Sequence, residues 1–264
     1  SYTTMQPVRN EVLAKLPYTL ILAVTSTLFA FLVGVPLGIW GALKQYTAVD
    51  AAILFLSVLF VSMPSFWLAM MLINKFAVEM NLLPAFGVSD LKGWILPIVV
   101  CTIGSMAGNI RITRSSMLEV MRQDYIRTAR AKGQTESKIV TRHMLRNAMI
   151  PVATSVGAGL GNALGGNMAI EVVFSLPGIG NYVVTAINGK NYPGMLGGIL
   201  ITALMFTLVN LAVDIAYVII DPRLKGQVLG KKASKRQFKK MLAEQGASHG
   251  TLVVAERQVS GRGR

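Results

Sequence analysis

Five long apolar stretches, at residues 17–43, 51–74, 94–112, 150–174 and 195–220, alternate with shorter polar connections along the chain. Each reaches the roughly 20 residues that a helix needs to cross a hydrocarbon core about 30 Å thick. None has the period of two that marks a barrel strand. The pattern therefore predicts an all-α integral membrane protein with five transmembrane helices. Pro64 falls inside the second stretch.

The connections differ in kind. Residues 75–93 and 176–194 are rich in Gly, Pro and Asn, a composition that suits turns and short re-entrant or interfacial pieces. They are too small to form a separate binding domain, so capture of a dilute solute would need another protein. The longest polar connection, 114–149, has helical periodicity of its own: Met117, Val120 and Met121, then Ile126, Ala129 and Ala131, and after Gly133 a restart through Ile139, Val140, Met144, Leu145, Ala148 and Met149. This predicts two short amphipathic helices joined by a turn at Gly133, where positive φ costs little. Thr135 is the expected N-cap of the second, with Glu136 in its favourable first turn.

Composition agrees with a bilayer as solvent. Hydrophobic residues make up 53% of the chain and charged ones 14%, against about 25% charged in an average soluble domain. The net charge of +14 would invite a nucleic-acid reading, but the basic residues sit between and after the apolar stretches, where they set membrane topology. Lys44, the 111–149 segment and the tail together hold 21 of them; the opposite side holds five, Arg9, Lys15, Lys75, Lys92 and Lys190. By the positive-inside rule the middle loop and the C-terminus are cytoplasmic and the N-terminus of this segment lies outside. An outside N-terminus without signal peptide or preceding helix leads us to expect a further helix upstream. The expected organisation is an external segment 1–16, a transmembrane domain 17–224 and a basic cytoplasmic tail 225–264, disordered beside anionic lipid.

Little conventional catalytic chemistry is available. The chain has one cysteine, Cys101, and two distant histidines, His143 and His249, with no G-x-x-x-x-G-K-[ST] loop and no H-E-x-x-H motif. Its 14 methionines are dispersed as ordinary apolar filler rather than grouped as soft-metal ligands. No catalytic, metal or cofactor site is expected. Polar residues inside spans are costly and mark candidate paths: Asn109, Asn162, Asn167, Glu171 and Asp214, with Asn210 also noted. Glu171 lies near the outer end of the fourth stretch, where an interfacial carboxylate in water is the expected state. Asp214 could pair with a helix, line a cavity or reach the interface. The fourth stretch also carries Gly157, Gly159, Gly161, Gly165 and Gly166, consistent with close helix packing or with a wall of the path.

Residues 124–133, DYIRTARAKG, followed by RHMLRNAMIPV at 142–152, resemble the cytoplasmic loop of bacterial ABC-importer permeases, within that superfamily the dipeptide/oligopeptide/nickel group. The resemblance runs along nearly the whole chain: LPYTL at 16–20, GVPLG at 34–38, MPSFW at 63–67, FSLPGIG at 174–180 and DPR at 221–223 all fit. Arg127, Thr128, Ala129 and Gly133 occupy the E, A, A and G positions of the superfamily pattern E-A-A-x-x-x-G, so Arg127 and Thr128 depart from it. The resemblance implies an ATPase-coupling segment containing Asp124, Arg127, Thr128, Ala129, Arg130, Ala131, Gly133, Glu136 and Arg142. It also implies a bacterial inner-membrane importer of peptides or a related solute such as chelated nickel, working by alternating access. Its expected partners are a second homologous permease, two cytoplasmic ATPases that bind the ATP and Mg, an extracytoplasmic solute-binding protein and lipid, with no nucleic acid. The competing reading is a secondary transporter driven by an ion gradient.

Overall fold

A computed structural model describes residues 1–2, 4–88 and 90–220. The tail 225–264 and the DPR motif at 221–223 lie outside the described residues, as does the side chain of Asp214. Among the described residues there are ten α-helices and no strand.

The first helix, α1 (Val8–Leu43), is 36 residues long, about 54 Å at 1.5 Å per residue. It begins well before the apolar stretch that starts at residue 17. Its first turns are amphipathic: Val8, Val12 and Leu16 form an i, i+4 stripe that packs on Ile179 and Val183. Averaged hydropathy cannot see such a stripe among Arg9, Asn10, Glu11 and Lys15.

The second expected span is corrected. It is broken into α2 (Ala48–Ser62) and α3 (Ser65–Leu72), the latter extended by a π-turn over Ile73–Glu79, and the two halves meet at 97°. The cause is local. Met63 precedes a proline and is pushed into extended geometry, φ −83 and ψ 125. Pro64 then starts the next helix.

A 3-10 turn, Leu91–Trp94, leads into α4 (Ile95–Met121), which runs past the apolar stretch into the basic connection. There follow α5 (Asp124–Ala131) and α6 (Glu136–Lys138), which passes through a π-turn, Ile139–Met144, into α7 (Leu145–Gly166). The second amphipathic helix expected after Gly133 is therefore the polar start of a longer helical run. Thr135 does occupy its N-cap position, φ −65 and ψ 143, but its side chain makes no capping hydrogen bond. The fourth apolar stretch is interrupted at Asn167, after which come α8 (Met168–Val173), α9 (Ile179–Asn188) and α10 (Tyr192–Ile220).

Three helical stretches are long and apolar enough to cross a membrane, Val8–Leu43, Leu91–Met121 and Tyr192–Val213, and the bent pair makes a fourth if it counts as one span. With 22 residues, α7 is about 33 Å long, enough to cross, but its glycines and asparagines lower its hydropathy. Large apolar side chains lie exposed along α1, α2 and α10, including Leu28, Leu32, Phe55, Leu200, Leu204 and Leu208. In water such a surface would aggregate; against lipid it is solvent-matched.

Glycines set the closest helix contacts. A Cβ at Gly34 would stand 3.0 Å from the Asn109 Cβ, and one at Gly38 would stand 2.7 Å from the Ile110 carbonyl oxygen, so α1 and α4 meet nearly backbone to backbone. Gly157 and Gly161 of α7 instead receive the side chains of Val213 and Asn210 of α10. Gly165 faces open space instead.

Candidate functional site

Two apolar clusters mark the ends of α1. Val12 packs on α9, whereas Ala42 packs with Met117, Ile126, Ala129, Ile139, Met144 and Ala148. Positions 12 and 42 are about 45 Å apart along the helix, so α9 and the basic connection occupy opposite ends of the molecule. At the α9 end Tyr18 stacks on Trp94, with centroids 6.2 Å apart, and Lys15 sits 5.9 Å over the Tyr182 ring. Such aromatic and basic side chains suit a headgroup layer.

At the basic end, α5 is a small helix laid across the ends of α4 and α7. Ile126 and Ala129 are its buried side, and one fully buried aliphatic residue contributes about 1.5–3 kcal/mol to such docking. Ala129, which the resemblance includes in the coupling segment, is buried against the bundle. The opposite side exposes Asp124, Arg127, Thr128, Arg130 and Ala131, and beyond the turn Gly133, Glu136 and Arg142 are exposed too. Gly133 has φ +72, the left-handed geometry that the turn needs. Across that turn Arg130 grips Glu136, Nη2 to Oε1 2.5 Å, with Nε 3.2 Å from Oε1. The Arg130 guanidinium holds the Glu136 carboxyl below its ordinary range. Arg127 approaches Asp124 only to 3.7 Å, with both side chains largely in solvent. Among the described residues Arg122, Lys132, Lys138, Arg142 and Arg146 make no ion pair, so the exposed face is strongly basic.

Midway along the molecule, α1, α4 and α7 border an open cavity of about 430 Å³ lined by Thr27, Gly104, Ser105, Gly108, Asn109, Ser155, Val156, Ala158, Gly159, Asn162, Ala163 and Asn167. Three of the five sequence-derived path residues, Asn109, Asn162 and Asn167, come together here. Among the described residues no charged side chain lines it. The Asn167 Nδ2 is buried without a hydrogen-bond partner.

Glu171 is elsewhere and is not the water-exposed interfacial carboxylate that its position led us to expect. It is 1% exposed. Its Oε1 accepts from the Thr19 hydroxyl at 2.7 Å and its Oε2 from the Asn181 N–H at 3.0 Å. The Thr19 Oγ1 in turn accepts from the Ile179 N–H at 2.9 Å. The carboxylate thus satisfies amides at the start of α9, where the helix dipole favours a negative charge. A Cβ at Gly178 would collide with this carboxylate, and one at Gly180 would stand 2.9 Å from it. The glycines of the FSLPGIG segment are the room in which Glu171 fits. Asp214 lies on α10 with no described side chain, so nothing places it at the cavity.

Sequence reasoning missed one pair. Asp50, near the start of α2, takes two hydrogen bonds from Arg114 of α4: Nε to Oδ1 at 2.6 Å and Nη2 to Oδ2 at 2.7 Å. Oδ2 also accepts from the Tyr46 N–H at 3.1 Å. Asp50 is 3% exposed. The available signal was one acidic residue at the head of an apolar stretch, opposite the first arginines after the next one.

A helical membrane bundle with a short basic helix seated at one end and a polar cavity inside is consistent with a transport subunit. Residues 34–226 match the family described as binding-protein-dependent transport system inner membrane component, and the chain belongs to that family. It is 41% identical over 253 residues to the dipeptide transport system permease protein DppB of Alkalihalophilus pseudofirmus, covering 85% of this chain and 76% of that protein. It is 37% identical over 229 residues to the oligopeptide transport system permease protein AppB of Bacillus subtilis, covering 83% and 72%. The glutathione transport system permease protein GsiC of Salmonella choleraesuis is 38% identical over 227 residues, covering 85% and 74%. In fold, the chain is similar to an inward-facing MetNI methionine ABC transporter structure, with TM-score 0.71 and 19% identity over 83% of this chain and 100% of that one. The chain is a multi-pass inner-membrane transport subunit.

Proposed function

We propose that this chain is the permease subunit of an ATP-driven importer for peptides and forms one wall of the path by which they cross the membrane. The observation that carries this is α5: a short helix held to the bundle by Ile126 and Ala129, with Arg127 and Arg130 exposed on it and Arg142 exposed on the π-turn beyond. It is built to be pushed. A rigid body that touches α5 moves α4 and α7 together, because both ends pack on the same cluster, and α4 and α7 are two of the three cavity walls. The path residues are Asn109, Asn162 and Asn167; Glu171 supports α9 from outside that wall.

Two cytoplasmic ATPase subunits would meet the 124–142 region through acidic groups that complement its arginines. ATP and Mg would reside in those subunits, and their closure would rock the spans between two accessible states. A second, similar permease would complete the path, and an external solute-binding protein would deliver cargo at the α9 end, with the basic end in the cytoplasm. Peptide cargo is supported by the dipeptide, oligopeptide and glutathione permeases among the relatives. A gradient-driven transporter would need a titratable carboxylate free to cycle, and Glu171 is instead committed to Thr19 and α9.

The test is to tag the chain in its host, solubilise it gently and identify what co-purifies, then measure dipeptide uptake. Two ATPases and a second permease, with uptake lost on ATP depletion and insensitive to uncouplers, are expected. Recovery alone, with uptake abolished by uncouplers while ATP is held constant, would overturn the proposal.

A further inference from the structure

The glycines of this protein fall into two groups. Gly34, Gly38, Gly157 and Gly161 are pressed against neighbouring helices, and a Cβ on any of them would meet atoms at 3.0 Å or less. Gly104 and Gly108 of α4 and Gly159 of α7 have nothing within 4 Å of where a Cβ would stand. They serve no contact within the chain, yet they sit inside helices, where glycine is a poor choice against alanine. All three line the cavity of about 430 Å³. Their missing side chains are part of its volume.

The rest of the lining is equally selective in kind. Thr27, Ser105, Asn109, Ser155, Asn162 and Asn167 offer neutral donors and acceptors, and among the described residues no lysine, arginine, aspartate or glutamate enters the wall. Neutral amides and hydroxyls match the N–H and C=O groups of a peptide bond without choosing a side-chain charge. A cavity of this size falls within the range of small-molecule sites.

From this combination we infer that the cavity is a cargo subsite which holds the peptide backbone through its asparagines and serines, and that Gly104, Gly108 and Gly159 set the largest side chain that passes. The inference rests on the importer reading above and adds the residues that limit cargo size. Charge on the cargo side chain is tolerated because nothing in the wall answers it; bulk is limited because helices α4 and α7 fix the gap.

The experiment uses the complete transporter in a host lacking other peptide uptake. Uptake of Ala-Ala and Phe-Phe is compared for the wild type, Gly108→Leu, Gly159→Leu and, as a control outside the cavity, Gly165→Leu, which also meets open space in the chain. The two cavity variants should lower the Phe-Phe to Ala-Ala uptake ratio roughly tenfold or more, the scale of steric discrimination in a pocket, and the control should keep the wild-type ratio. An unchanged ratio in both cavity variants overturns the inference, as does an equal fall in the control. A second readout covers variants that fail to assemble: Ser105→Cys should react with a water-soluble thiol reagent and be protected by Ala-Ala, whereas native Cys101 is buried. Lack of reaction in the assembled transporter, as when a partner helix fills the cavity, overturns the subsite. Absence of peptide uptake by the wild type would instead defeat the importer reading itself.

Discussion

Arg114 and Asp50 are joined by a two-pronged ion pair, 2.6 and 2.7 Å, between residues 64 positions apart in the chain. It ties the turn between α1 and α2 to the stretch of α4 just before α5. Arg114 stands three residues before Met117, which lies in the cluster that seats Ile126. The pair therefore fixes the α4–α5 junction to the bundle at the basic end. Removing only one partner leaves the other buried and uncompensated. Arg114→Met should cost about 3 kcal/mol, read as a lower midpoint in denaturant titration of the detergent-solubilised protein. Asp50→Leu combined with Arg114→Met should recover most of that loss. Additive losses in the double variant would show that the pair has no coupling energy.

The carboxylate of Glu171 is the acceptor for both α1 and α9, through Thr19 and Asn181. Glu171→Ala would orphan a buried hydroxyl and a helix-start amide, each costing about 1–3 kcal/mol. We expect destabilisation concentrated at the α9 end, seen as new proteolytic cleavage within 176–194 before the bundle itself unfolds. Glu171→Gln keeps one acceptor oxygen and should cost about half as much. Equal proteolytic resistance in wild type and Glu171→Ala would contradict the anchoring role.

Both of these sites show what a linear reading reaches and where it stops. Five apolar stretches, the charge asymmetry and the 124–133 segment were legible because each is local: hydropathy, loop charge and periodicity need no knowledge of distant partners. Asp50 was hidden because its partner arrives from the next long helix, and a carboxylate beside an apolar run reads as a boundary. Glu171 was misjudged for the same reason, since the donors that make its burial tolerable come from residues 19 and 181. The bend at Met63–Pro64 had its signal in the proline, but composition alone cannot distinguish a kink from a 97° turn. The cavity was half visible: asparagines within spans pointed to a path, while the empty space beside Gly104, Gly108 and Gly159 exists only once three helices are assembled.

Gly133 holds φ +72 between α5 and the helix that becomes α7. Proline fixes φ near −65°, so Gly133→Pro cannot keep the turn and should shift α5 on its seat. Membrane insertion does not depend on this residue. Uptake should fall by an order of magnitude while ATP hydrolysis by the assembled complex persists, which is loss of coupling rather than loss of the transporter. Normal uptake in this variant would sink the lever account. Loss of ATP hydrolysis along with uptake would place the residue in assembly instead.

Arg130 faces Glu136 across the same turn, and their bond decides how many cations the docking face presents. Glu136 is held below its ordinary carboxylate range by Arg130. Because its folded value is the lowered one, the contribution to stability is present above the unfolded pKa of about 4.3 and is lost only as pH falls through the still lower folded value. Between pH 6 and 8 the pair should be indifferent to pH. Its side chains are 43% and 59% exposed, so solvent screening leaves it little weight in overall stability. Glu136→Gln should therefore unfold at nearly the wild-type temperature, yet it releases Arg130 to join Arg127 and Arg142 on the exposed face. Association with the ATPase subunits should become tighter at low salt and fall more steeply as salt is raised, measured by co-purification across a salt series. An unchanged salt dependence would mean that Arg130 does not contact the partner, and that the basic face engaged in coupling is confined to the residues on either side of it.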